Sequence, residues 1–191
     1  MKKHLISFLI FFMGFGNMLC HNSISISFPD DPSTLDTVLM DQEGSIMASS
    51  SIYEGLVRIT KDGKVVPGMA EKWEVNGNKI TFHIKKDMYW SDGRTPITAD
   101  DFYFTFKRVL DPSSAAPYSY LADFIKNAKS FREGKIKDFT QVGVKLLDKY
   151  RLLIEIIYSK EDPVSDFDKQ AFGFVTFTPI NESYYKKNKK D

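Results

Sequence analysis

The stretch Trp90–Pro112, WSDGRTPITADDFYFTFKRVLDP, decides how the chain is read. Asp92-Gly93 marks a tight turn, because glycine adopts positive φ without steric penalty. Pro96 keeps Thr95 extended, so no helix starts before it. Thr98 is a natural N-cap, and Asp101 stands three residues on, where a capping box places its answering acid. Asp100 and Asp101 put negative charge at the positive end of the helix dipole. Phe102, Phe106 and Val109/Leu110 recur at helical spacing and form one apolar stripe. Lys107 and Arg108 fall in the last turn, where cations are favoured, and Asp111-Pro112 stops the helix. Folding alone accounts for each of these residues.

Working outward, further signals appear at regular intervals. Upstream lie Lys61-Asp62-Gly63, Val66-Pro67-Gly68-Met69-Ala70-Glu71-Lys72-Trp73 and Asn76-Gly77-Asn78. They predict a pair Leu56–Ile59 with Lys64–Pro67, then a hairpin of Trp73–Val75 with Lys79–Ile84. Farther upstream, Ser23–Phe28 alternates like a first strand, and Ser45–Tyr53 reads as a helix with Ile46, Ile52 and Tyr53 apolar. Downstream, Phe124–Phe131 reads as a helix, and Val142–Leu147 with Arg151–Tyr158 as strands around Asp148-Lys149-Tyr150. Asp162-Pro163 breaks the second of these strands. The C-terminal YYKKNKKD reads as a solvated basic tail.

Taken in order, these residues resemble the extracytoplasmic solute-binding proteins of peptide ABC transporters, the oligopeptide- and dipeptide-binding group (family 5). The resemblance rests on Ser33-Thr34-Leu35-Asp36, Tyr53-Glu54-Gly55-Leu56, the Val66–Trp73 motif, Trp90–Pro112, Ser114–Leu121 and Gly143–Asp148. It departs at Thr37, where the family has proline, and at Arg94-Thr95, where the family has one residue. It implies an α/β (α+β) chain with a periplasmic-binding-protein-like class II fold. The expected division is 1–20 a signal peptide, 21–50 the first strand and cleft-edge segment of the main lobe, 51–176 the additional α/β domain, and 177–191 a return segment with its basic tail. Members of the family are more than twice as long and enclose ligand between two lobes. The 191 residues would therefore be a truncated form, the start of the main lobe plus the additional domain, lacking the opposing lobe.

Composition agrees with a folded domain. The chain is 42% hydrophobic and 27% charged, which does not favour disorder, and its net charge of +1 gives no argument for nucleic acid. A single cysteine, Cys20, excludes an internal disulfide framework or a Cys-rich metal site. Of three histidines only His83 lies well inside the body; it stands in the alternating KITFHI and reads as a solvent-facing strand residue. No GxxxxGK[ST] phosphate loop is present, and no cofactor is implied.

Lys2, Lys3 and His4 precede the apolar run Leu5–Phe15. The run is shorter than the roughly 20 apolar residues of a membrane span and matches the core of a secretory signal. The expectation is an exported, periplasmic protein cut near residue 20. Lipid anchoring through Cys20 is the alternative, although Asn17, Met18 and Leu19 depart from the lipoprotein pattern both three residues before the cysteine and immediately before it.

The resemblance also implies a site. By ungapped spacing Asp41 falls where enteric members place an acid that helps bind peptide, and Gln42 and Glu43 follow with backbone groups. A carboxylate there would pair with a peptide's ammonium. The family's Pro-Tyr tyrosine falls on Tyr118, whose hydroxyl would reach ligand backbone. The plainer alternatives are solvated acids at the start of a helix and a half-buried packing tyrosine. The implied partners are short peptides, an ABC permease in the inner membrane, and in a split protein a second chain supplying the missing lobe. A remnant or interaction module that no longer transports alone is the competing reading. An enzyme would have to use Asp100-Asp101 or Asp30-Asp31, and capping and turn formation already account for both pairs.

Overall fold

A computed structural model describes residues 25–157 and 169–188. In chain order the elements are α1 (Glu43–Ser50), β1 (Val57–Ile59), β2 (Val65–Pro67), β3 (Ala70–Asn76), β4 (Lys79–Ile84), α2 (Ala99–Leu110), α3 (Ala128–Arg132), β5 (Val144–Asp148), β6 (Arg151–Glu155) and α4 (Glu182–Asn188). The signal segment, Cys20, the start of the first predicted strand, Asp162-Pro163 and residues 189–191 lie outside the described residues.

Strands β3, β4, β6 and β5 form one antiparallel sheet in that order, with β1 and β2 as a separate antiparallel pair. Alternation sends Ile80, Phe82 and Ile84 of β4 to one face, where Leu152 and Ile154 of β6 and Val144 of β5 join them, all buried. Helix α2 lies on that face. Its Phe102, Phe106, Val109 and Leu110 are fully buried, each burial worth roughly 1.5–3 kcal/mol. Phe172 arrives from far along the chain and packs against Phe82, Phe106 and Phe124 at ring-centroid distances of 5.0, 6.3 and 5.5 Å.

The start of α2 is fixed as the sequence predicts. Thr98 N–H donates to Asp101 Oδ2 at 2.8 Å, and Ala99 N–H donates to the carbonyl of Lys149 at 2.9 Å, tying the helix to the β5–β6 turn. Asp92 takes up the extra residue of the preceding turn. Its Oδ1 accepts from the N–H of both Arg94 and Thr95 at 2.9 Å, and Gly93 supplies a φ of 66°.

Several expectations are corrected. Residues 25–28 are irregular, because no strand among the described residues pairs with them. Helix α1 begins before Ser45 and ends at Ser50; its buried face is Gly44, Ser45, Ala48 and Ser49, while Ile52 is exposed. Helix α3 is shorter than Phe124–Phe131. Lys126 N–H donates to Glu155 and Ile157 N–H to the carbonyl of Phe124, so this stretch extends β6 pairing before Asn127 turns left-handed at φ 61°. His83 is on the outer face as predicted but is mostly covered, with Nε2 3.1 Å from Glu74 Oε1. The C-terminal tail is not simply solvated: residues 182–188 form α4, whose Tyr185 ring lies 4.3 Å from the Arg108 guanidinium and 5.6 Å from the Phe104 ring. Among the described residues no helix is long and apolar enough to cross a membrane.

Candidate functional site

Asp41, Gln42 and Glu43 stand together, exposed, where an irregular segment becomes α1. Gln42 is the extended N-cap residue, and its carbonyl accepts from Ile46 N–H at 3.0 Å. The segment before them wraps over the helix start. Asp30 Oδ1 accepts from Gly44 N–H at 3.0 Å, and Ser45 Oγ accepts from the N–H groups of Ser33 and Thr34 at 3.0 and 3.3 Å. Backbone approaches so closely here that a Cβ on Gly44 would fall 2.3 Å from the carbonyl oxygen of Asp30. Glycine at position 44 is thus a packing requirement of the α1 start.

The other end of this loop is held by Asp36. Its carbonyl accepts from Leu39 N–H and Met40 N–H at 3.0 and 3.2 Å, and its Oδ1 accepts from Val38 N–H at 3.2 Å. The same carboxylate takes a two-pronged pair from Arg108 of α2, Nη1 to Oδ1 at 2.6 Å and Nη2 to Oδ2 at 2.5 Å. Arg108 is only 8% exposed, and its Nε is buried without a hydrogen-bond partner. Burial opposes the guanidinium's charge, but hydrogen bonding and attraction from Asp36, with a smaller part from Tyr185, outweigh it and raise the pKa.

Tyr118 is half-buried after the α2 terminus. Ala115, at φ 51°, turns the chain, and Leu121 N–H closes a 3-10 turn on the carbonyl of Tyr118 at 3.1 Å. The Tyr118 and Tyr120 rings lie 6.4 Å apart. Among the described residues no hydrogen bond or ring contact joins Tyr118 to Asp41, Gln42 or Glu43. Two open cavities lie elsewhere. One of about 570 Å³ sits beside the C-terminal end of α2, against Phe131, Ile136 and Phe139. The other, of about 370 Å³, sits on the outer sheet face beside His83, Lys149 and Tyr150.

One acid of each pair, Asp30 and Asp101, has structural work. Asp101 is buried at the α2 N-terminus, and burial raises its pKa from 3.8 to about 6 against the hydrogen bonds from Thr98; Asp100 adds to the rise. Asp30 caps α1. Sequence reasoning missed the Asp36–Arg108 pair. Arg108 fits the dipole rule, and only its position one residue before the buried Val109-Leu110 pair hints that it points inward.

Residues 64–191 match the family described as bacterial extracellular solute-binding proteins, family 5 middle region. The oligopeptide-binding protein OppA of Bacillus subtilis is 34% identical over 170 residues, 88% of this chain and 30% of that protein. The probable deoxycholate-binding periplasmic protein YgiS of Escherichia coli is 37% identical over 141 residues, 72% of this chain and 25% of that protein. The solved structure of the Escherichia coli murein tripeptide binding protein MppA superposes with a TM-score of 0.74 at 31% identity, over 84% of this chain and 31% of that one. The chain spans 25–31% of the length of these three relatives. It belongs to the bacterial extracellular solute-binding proteins of family 5.

Proposed function

We propose that this chain forms one wall of an extracytoplasmic peptide-binding site and serves an ABC importer without catalysis. The observation that carries the reading is the exposed Asp41–Glu43 step, held between the Asp36 turn and the Asp30 cap, in a chain that shares family and fold with peptide-binding relatives. An exposed carboxylate on a fixed loop suits the ammonium of a peptide. Tyr118 supplies a hydroxyl for ligand backbone, and Gln42 and Glu43 supply backbone groups. Residues 21–50 act as the edge of a main lobe, 51–176 as the additional domain and 177–191 as the return segment. The facing wall comes from residues beyond the matched third of the relatives' length, in the same chain or a second one, because an enclosed ligand needs both. Lobe closure is what a permease in the inner membrane would sense. Export with cleavage near residue 20, or lipid attachment at Cys20, places the protein outside that membrane.

A second ligand class has its own support, since one relative is described as deoxycholate-binding. A single experiment separates the two. The protein is melted alone, with alanine tri-, tetra- and pentapeptides, and with deoxycholate below its micellar concentration. A ligand specific to the native state raises the melting temperature by mass action. A rise with peptides that Asp41→Ala and Tyr118→Phe reduce supports the peptide site. A rise with deoxycholate alone replaces it, and no rise with either means that these residues do not bind by themselves.

A further inference from the structure

We propose that Arg108 is a positioning residue for the Asp41–Glu43 loop: its two-pronged pair with Asp36 sets the place and rigidity of the turn that presents those residues, and so sets ligand affinity without touching ligand. The inference rests on the site reading above for its effect on binding, but its effect on the loop stands on geometry alone.

The geometry is specific. Asp36 is the node of the turn, since Val38, Leu39 and Met40 all direct their N–H groups at it. Val38 and Met40 are buried while Leu39 is exposed, so the turn seats two side chains in the protein and leads directly to Asp41. What fixes Asp36 itself is a group 72 residues away in sequence, on helix α2, whose buried face packs against the sheet. Both terminal nitrogens of Arg108 are used on one carboxylate, the planar fork that lysine cannot reproduce. The guanidinium lies over the Tyr185 ring of α4, 4.3 Å from its centroid. Three segments therefore meet on one buried cation: the loop carrying the candidate ligand residues, α2, and the segment that follows the additional domain. Movement of α4 against α2 would be felt at the loop through this stack, which makes Arg108 one place where loop geometry and the return segment are coupled.

The test is a double-mutant cycle on the full chain with two readouts. Arg108→Lys keeps the charge but loses the fork and the flat stacking surface; Asp36→Asn keeps an acceptor for Val38 N–H but loses the charge. Hydrogen exchange is measured at residues 38–40 and at core amides such as Phe82 and Leu152, and alanine-peptide binding is measured on the same samples. Both variants are expected to exchange at residues 38–40 at least tenfold faster with core amides unchanged, to bind peptide at least tenfold more weakly, and to combine non-additively. Unchanged exchange at 38–40 overturns the proposal. Faster exchange with unchanged peptide affinity overturns the claim that positioning matters for binding. Additive effects overturn the pair as the unit that acts. If the parent chain binds no peptide while exchange at 38–40 still rises, Arg108 positions the loop and the peptide-binding reading is what fails. Should Arg108→Lys unfold the core as well, Asp36→Asn, whose side chain is partly exposed, decides alone.

Discussion

Two stretches of this chain are built by different rules. Residues 90–112 form a turn, a capped helix start, an apolar stripe and a stop, and the side-chain bonds that make the turn, the cap and the stop run two or three residues, although Ala99 N–H also reaches the carbonyl of Lys149. Residues 30–50 form a loop and helix of similar extent; the Asp36 turn closes locally, but the bonds that dock the loop on α1 run 11 to 14 residues, and the one that ties Asp36 to Arg108 runs 72. The helix of the first stretch buries large side chains, whereas α1 in the second buries Gly44, Ser45, Ala48 and Ser49, and only the turn before it seats larger ones, Val38 and Met40. The lesson is that the helix under the sheet is stabilised mainly by area, and the candidate ligand loop by two buried side chains, Val38 and Met40, together with a few directional bonds. Area tolerates imprecise geometry; directional bonds fail one at a time.

The largest test of that contrast is Phe106→Ala. The ring is fully buried and stacks on Phe177 at 5.1 Å. Its loss is expected to cost about 3–5 kcal/mol and to lower stability of the whole unit, read as a cooperative shift in denaturant midpoint. If only the α2 region loosened, the helix would not be the common core of the unit.

Next is the pH response of Asp101, a polar group inside the area-stabilised stretch. Its folded pKa of about 6 lies above the ordinary 3.8 because burial disfavours the charged form. Between those values the folded state holds a proton that the unfolded state has lost. Stability from this group is therefore fully present below about pH 4 and lost as pH rises towards 6, at most about 3 kcal/mol at ~1.4 kcal/mol per unit. Asp101→Asn keeps an acceptor for Thr98 N–H and removes the titration. The melting-temperature difference between variant and parent should widen in the variant's favour from pH 4 to 6 and stay level above. A parallel pair of curves would show that Asp101 is solvated in the native state.

Gly44→Ala carries the contrast to the loop. A new Cβ 2.3 Å from a backbone oxygen cannot be relieved by a rotamer change. The expected cost is about 1–3 kcal/mol, confined to residues 30–50, with hydrogen exchange rising there and core amides unaffected. A global loss equal to that of Phe106→Ala would erase the distinction between the two stretches.

The same distinction explains what could be read from sequence. Thr98, Asp101 and the Asp-Gly turn were legible because their partners are near neighbours in sequence, and the β4 alternation because a strand's two faces repeat every second residue whatever covers them; their order carried the family resemblance. The identity of α1's buried face was not, because apolar pattern picks out Ile46 and Ile52, whereas the buried residues are Gly44, which must be small to meet Asp30, with Ser45, Ala48 and Ser49. The break at Asn127 was hidden because amides of a helix-like pattern are used by β6. In the site, Asp41, Gln42, Glu43 and Tyr118 came from motif spacing; Asp30, Asp36 and Arg108, which hold the loop, are ordinary charged residues until the fold brings them together.

The smallest test concerns Tyr118, the candidate site residue that sits on a locally built turn. Ala115 holds φ 51°, a conformation that costs an L-residue roughly 1–2 kcal/mol and costs glycine little. Glycine also gives the unfolded chain more freedom, which offsets about 0.5–1 kcal/mol of that relief. Ala115→Gly is therefore expected to be neutral to about 1 kcal/mol stabilising in a chemical melt. If the Ala115 turn also orients Tyr118, the stabilised variant should bind alanine peptides no more tightly, because relief of strain frees the turn as well as lowering its energy. Tighter binding with higher stability would mean that the turn hinders the tyrosine, and the local half of the site would then be held by its surroundings, as the Asp41 half is.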